Sequence, residues 1–240
     1  MPDTATTLIE LYNELDKYFE SRDQSGSDRY VPFTRRVQSL ARSDATVAHY
    51  KDELLLMADI RNILVHETYL EGDINPIVLP SDKLIERYRA MYERITRPPL
   101  ALDEVAVKGE EIFSVSMDDH VLWAMKRMIQ RGYSHAPLLE DKRVIGVFSE
   151  YSIFAYLAHD GRSLDPDLRI RTLQDGLELS RYKPERYRFT GPEASVYDVE
   201  SMFSQTLQSG GRLAVVFITA DGTKAGRLLG MVTAFNIAGY

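Results

Sequence analysis

Gly146-Val147-Phe148-Ser149-Glu150-Tyr151-Ser152-Ile153 and Gly230-Met231-Val232-Thr233-Ala234-Phe235-Asn236-Ile237 are two copies of one pattern. Each sets a glycine in an apolar run, a hydroxyl residue three positions on, and a polar residue three after that. A short apolar run reads as a strand, and Ser or Thr directly after it is a favoured helix N-cap. Each copy therefore predicts a strand that turns straight into a helix. The likeness extends outward. Pro137-Leu138-Leu139 matches Val215-Val216-Phe217 at an offset of 78, and Val121, Ala124 and Met128 match Val196, Val199 and Phe203 at an offset of 75. The offset reaches 84 at the quoted pair because the second copy carries an extra turn, Ala220-Asp221-Gly222-Thr223-Lys224-Ala225-Gly226. Two β-α-β-β-α units, each with one apolar sheet face left uncovered, pack on one another.

The chain before the repeats has a different period. Leu8, Leu11, Tyr12, Leu15 and Tyr18-Phe19 predict a helix over residues 4 to 21. Phe33, Val37 and Leu40 predict a short second helix, and Ser43-Asp44 starts a long one from about Ala45 to Glu67. Glu71 to Pro76 breaks it, and Ser81 caps a further helix over Asp82 to Thr96. Arg97-Pro98-Pro99-Leu100 is a stiff break, because a proline pair cannot continue a helix. The expected fold class is multidomain, α plus α/β: a four-helix bundle over residues 1–97, then repeats over 103–165 and 166–240.

The long helix holds the run Leu54 to His66, which reads as the most buried of the bundle. Helical neighbours lie three and four residues apart. Those of Arg61 are Met57, Ala58, Leu64 and Val65, so its own helix offers no carboxylate. An unpaired charge out of water is costly. Its partner is then another helix (Glu14 or Asp16 on the first), another subunit or an anionic ligand. His66 has Asn62 one turn back to orient its ring, or it caps the helix C-terminus, where the dipole favours it.

Composition narrows the function classes. Hydrophobic residues make up 44% and charged residues 27%, the balance of a globular protein. A net charge of -7 argues against a surface that coats nucleic acid non-specifically. The absence of cysteine excludes disulfides and thiolate metal sites, and the five histidines show no metal-ligand spacing, so no metal is expected. Met1-Pro2-Asp3-Thr4 lacks the features of a signal peptide, and no apolar run reaches the ~20 residues of a membrane span. The expected location is cytoplasmic. Asp118-Asp119-His120 reads as a helix N-cap, and the basic run Arg169, Arg171, Arg181, Lys183, Arg186 and Arg188 as either a phosphate contact or a solvated face.

The repeated unit resembles the CBS domain, and the pair resembles a tandem CBS, or Bateman, module. Gly146, Ser149 and Ser152, and Gly230, Thr233 and Asn236, carry the likeness to the family's Gly-x-x-Thr-x-x-Asp. The resemblance implies a regulatory adenine nucleotide: AMP, ATP or a dinucleotide. The hydroxyl at a helix N-terminus would face a phosphate, and the residue three on would bond the ribose. Neither copy has the Asp. Ser152 is short, whereas Asn236 still reaches a ribose hydroxyl, so the cleft of Thr233 and Asn236 is favoured. His135, and Arg212 beside its counterpart Leu213, stand where such pairs place phosphate contacts.

Arg61-Asn62-Ile63-Leu64-Val65-His66 resembles the Arg-x-x-x-x-His motif of HEPN domains, small α-bundles that include metal-independent endoribonucleases. The likeness implies that His66 acts as general acid or base, Arg61 stabilises the phosphorane, and Asn62 holds the imidazole, with RNA as substrate and no cofactor. Five residues turn a helix by ~500°, so the two side chains diverge by ~140° and stand ~7.5 Å apart along the axis. Such a site needs a second helix or subunit, hence a homodimer. The two resemblances together imply a nucleotide sensor controlling a ribonuclease. The alternative is a non-enzymatic sensor or adaptor whose helical domain only dimerises or binds a partner.

Overall fold

The computed structural model describes residues 4–22, 30–66, 79–179, 185–208 and 212–240, without the side chains of His66, Gln174, Asp175, Glu185 and Arg186. The chain divides into two compact units, Met1–Pro99 and Leu100–Tyr240.

In the first unit the described residues form α1 (Thr4–Arg22), α2 (Phe33–Leu40), α3 (Ala45–His49), α4 (Lys51–His66) and α5 (Asp82–Thr96). Leu8, Leu11, Leu15 and Phe19 form the buried stripe of α1, at the spacing that keeps one helical face inward. Asp44 caps α3 by accepting the Val47 N–H at 3.0 Å, and Ser81 caps α5 by accepting that of Leu84 at 3.3 Å. The expected long helix is broken once. Tyr50 leaves helical geometry at φ -94°, ψ 7°, and its ring is buried. No Gly or Pro marks the kink, so the local sequence gave no warning. The run Leu54 to His66 is also less buried than expected. Leu54, Met57, Ala58 and Leu64 face inward, while Leu56, Ile63 and Val65 on α4 stay exposed. The loop around Glu71–Pro76 and part of that over Ser21–Ser27 lie outside the described residues.

The second unit has two sheets. β2 (His135–Glu140) and β3 (Arg143–Ser149) form an antiparallel pair, entered by α7 (Val121–Arg131) and left by α8 (Glu150–Leu157). β4 (Glu185–Thr190), β5 (Arg212–Thr219) and β6 (Leu228–Thr233) form the second sheet, with α10 (Val196–Gln208) between β4 and β5, and α11 (Ala234–Ala238) after β6. β4 runs parallel to β5, and β5 antiparallel to β6. The first repeat is abbreviated. Its leading strand shrinks to a parallel bridge from Val115 to Leu138, where the Val115 N–H donates to Pro137 O at 3.0 Å.

Three apolar clusters hold this unit together. Val144 and Val147 of β3 meet Val215 and Phe217 of β5 and Met231 of β6, so the two sheets pack face to face. Alternate residues point the other way, under each repeat's own helices: Phe148 with Val121, Ala124 and Met128, and Val216 and Ile218 with Val196, Val199 and Phe203. Two segments cross over in the packing. Ile170, Leu173 and Leu177, in a 3-10 turn (Ile170–Leu173) and α9 (Gln174–Leu177), join the first core. Ala101 and Val105, in and just after α6 (Ala101–Glu104), join the second core, and β1 (Val107–Lys108) pairs with β6. Each repeat is thus completed by the segment that precedes the other. The apolar pattern says that such residues are buried, not against which sheet.

Candidate ligand-binding site

β6 and β3 deliver equivalent turns, but their surroundings differ. Ser149 is 3% exposed and Ser152 0%. The Ser149 N–H donates to Ser152 Oγ at 2.8 Å, and that hydroxyl donates to Val147 O at 3.4 Å. Gly176 packs against the Ser152 backbone so closely that a Cβ there would lie 3.0 Å from Ser152 O. The first hydroxyl pair is therefore internal, not presented to a cleft.

The second pair lines a cavity of about 330 Å³. Asn236 Oδ1 accepts the Thr233 N–H at 2.9 Å and the Thr233 hydroxyl at 2.7 Å. The amide oxygen is thus committed, which leaves the –NH2 of Asn236 as its free hydrogen-bonding capacity. This alters the expected phosphate contact. The Thr233 N–H and hydroxyl are already bonded, and five residues of α11 supply little helix dipole.

His135 reaches the same cavity from the end of α7. Gly132 adopts the left-handed conformation at φ 67°, where glycine carries no steric penalty. It ends α7 by donating to Ile129 O, and Tyr133 donates to Met128 O. The chain then lays Arg131, Tyr133, Ser134 and His135 along the wall. Ser134 Oγ and His135 Nδ1 are hydrogen-bonded at 2.8 Å, and the imidazole meets the Tyr187 ring edge-on at 6.4 Å. Glu111 and Phe113 complete the lining from the segment after β1. Arg212 opens β5, is exposed, and does not line the cavity; Arg131 is the guanidinium that does. Glu111, Phe113, Arg131, Tyr133 and Phe235 escaped the sequence reading. Only Gly132, directly after an apolar helix pattern, signalled a turn there.

Other expectations resolve differently. Asp119 does not cap α7. Its carboxylate accepts the Ser116 N–H at 2.7 Å, while Val121 N–H donates to Leu168 O. Arg169 donates to Asp118 O and Arg171 pairs with the Asp118 carboxylate, so neither is offered to a phosphate. Among the described residues no cluster of His, Asp and Glu is arranged to hold a metal, and no helix is long and apolar enough to cross a membrane.

In the helical unit Arg61 has no carboxylate bonded to it among the described residues. Its Nη1 donates to Asn62 Oδ1 at 3.3 Å, its guanidinium lies over the Tyr12 ring at 5.4 Å, and its Nε is buried with no hydrogen-bond partner among the described residues. Asp16 pairs with Arg36 instead. Burial nevertheless raises the Asp16 carboxyl above its ordinary range, outweighing the pull of Arg36. Burial, with the Asp16 charge beside it, pushes the Tyr12 phenol up to about 12. His66 ends α4, and its side chain lies outside the described residues.

Residues 102–159 match the CBS domain. No curated protein matches the chain. Among solved structures it is similar to a protein with CBS domains from Burkholderia ambifaria MC40-6, at 14% identity over 58% of this chain and 90% of the other, TM-score 0.41. It is similar to CBSX2, solved in complex with AMP, at 15% identity over 58% and 93%, TM-score 0.42. It is also similar to the CBS domain pair of protein MJ0100, solved with 5-methylthioadenosine and S-adenosyl-L-methionine, at 16% identity over 58% and 92%, TM-score 0.41.

Proposed function

We propose that residues 100–240 act as a CBS pair that binds an adenine nucleotide in the Thr233–Asn236–His135 cavity and regulates the helical unit. One observation carries this reading: residues nominated from two distant stretches of sequence line a single cavity. Its volume of about 330 Å³ lies at the lower end of the roughly 300–1,000 Å³ of small-molecule sites, which favours a mononucleotide over a dinucleotide. Arg131 takes a phosphate, Glu111 accepts from ribose hydroxyls, and the Asn236 amide donates to one. Calorimetry on the full chain with AMP, ATP and a cyclic dinucleotide tests this. AMP binds, Thr233→Ala with Asn236→Ala weakens it at least tenfold, and Ser149→Ala leaves it unchanged. No binding by any of the three overturns the reading.

The helical unit is the output in this scheme, and its chemistry is RNA cleavage across a homodimer. Support comes from Arg61, which stacks on Tyr12 with no carboxylate bonded to it among the described residues. RNA cleavage by the unaltered chain, lost in Arg61→Ala and in His66→Ala, is the expected result. Equal cleavage by all three removes the enzymatic role and leaves an adaptor that dimerises or binds a partner.

A further inference from the structure

The cavity holds more aromatic surface than a sugar and a phosphate require. Phe113 and Tyr133 line it as a stacked pair, with centroids 6.1 Å apart and planes 27° from parallel. Trp123 backs Phe113 at 5.8 Å. From the other repeat comes Phe235, which lines the same cavity with 87% of its surface exposed. A lone exposed Phe is unremarkable on most surfaces. This one sits between Thr233 and Asn236, whose mutual hydrogen bonds fix the start of α11, and it makes no ring contact among the described residues. A large apolar ring is thus held at a cavity wall with most of its surface exposed.

The charges lead to the same place. Among the described residues Arg131 is the only Arg or Lys in the lining, and Glu111 stands among the same residues. A polyphosphate would find one guanidinium partly offset by a carboxylate. A planar ring finds three aromatic side chains, two from the first repeat and one from the second.

We infer that the cavity recognises its ligand chiefly through a planar heteroaromatic ring, held between the Phe113–Tyr133 pair and Phe235. This rests on the nucleotide reading above and adds which part of the ligand is read. Stacking tolerates any base, because each has a π face, and is worth about 5- to 150-fold in affinity per base. The site therefore ranks ligands by ring before phosphate count. AMP and GMP bind within about tenfold of one another, whereas ribose 5-phosphate, which keeps the sugar and phosphate, binds about 5- to 150-fold more weakly.

The test titrates the full chain with AMP, GMP and ribose 5-phosphate by calorimetry. Trp123, the one tryptophan of the chain, gives a second readout through its contact with Phe113. Phe235→Ala loses about 5- to 150-fold in AMP affinity, and Phe235→Tyr retains it. Circular dichroism of both variants matches the parent, because so exposed a ring supports no core. If AMP binds the parent and Phe235→Ala equally, or ribose 5-phosphate binds as tightly as AMP, the aromatic clamp is overturned while the nucleotide site stands. If neither AMP nor GMP binds the parent, both fall together.

Discussion

The turn at Ser149–Ser152 and the turn at Thr233–Asn236 share a pattern and part in their surroundings. Both close a strand, open a helix, and return the polar residue three positions on to the cap. The difference is spare capacity. Ser152 accepts one hydrogen bond and donates one, and is then satisfied and sealed inside. Asn236 accepts two and still has an –NH2 group to give. The pattern encodes a helix start. The proposed site lies at the turn whose capping residue has hydrogen-bonding groups left over and whose neighbouring wall leaves a cavity.

The largest effect that sharpens this contrast concerns the two glycines. A Cβ on Gly146 would lie 2.6 Å from Leu177 O, a backbone atom that cannot easily yield. On Gly230 it would lie 2.8 Å from Leu102 Cδ1, the end of a flexible side chain. Gly146→Ala is expected to cost about 2–3 kcal/mol and Gly230→Ala about 1 kcal/mol, measured by urea unfolding. Equal costs would mean that the first turn is no more tightly enclosed than the second.

Next comes a crossed pair. Ser152→Ala strands the buried Ser149 N–H and costs about 1–3 kcal/mol. Asn236→Ala removes a half-exposed cap and costs about 1 kcal/mol. Ligand affinity runs in the reverse order: Asn236→Ala weakens AMP binding and Ser152→Ala does not. Affinity lost in Ser152→Ala would reassign the site to the first turn.

The smallest effect separates the hairpins. Asp141 and Lys142 join β2 to β3 with φ of 48° and 63°. The second hairpin instead relies on Asp221, whose carboxyl is held below its ordinary range by the N–H and hydroxyl of Thr223. A carboxyl lowered in the folded state stabilises above the unfolded value, and that contribution fades as pH falls through the folded one. Amide exchange over residues 220–227 is expected to quicken on acidification, relative to the intrinsic rate, and exchange over 140–143 to change less.

The repeats were legible because a strand-to-helix turn needs a capping residue, and a duplicated cap shows as a duplicated hydroxyl. Thr233 and Asn236 were legible for the same reason, being the second copy of that cap, whereas His135 was placed only by the resemblance to the CBS pair. The rest of the wall was not. Glu111, Phe113 and Tyr133 sit in connecting turns with no periodicity, and their meeting depends on which sheet β1 joins. Ile170, Leu173 and Leu177 announce burial, but the choice between two apolar cores is decided in three dimensions. The break at Tyr50 was hidden because a buried aromatic ring ends α3 with no Gly or Pro to mark it.

β1 has a mechanical consequence. The chain leaves Pro98-Pro99, contributes α6 to the second core, and passes straight into the cavity wall at Val107, Glu111, Ile112 and Phe113. The wall and the tether of the helical unit are one continuous piece of chain. A ligand that draws Glu111 or Phe113 inward pulls on a short, well-anchored lead whose far end is stiffened by two prolines. Under the proposed function, occupancy would be converted into tension at the joint, provided the ligand binds one setting of that lead more tightly than another.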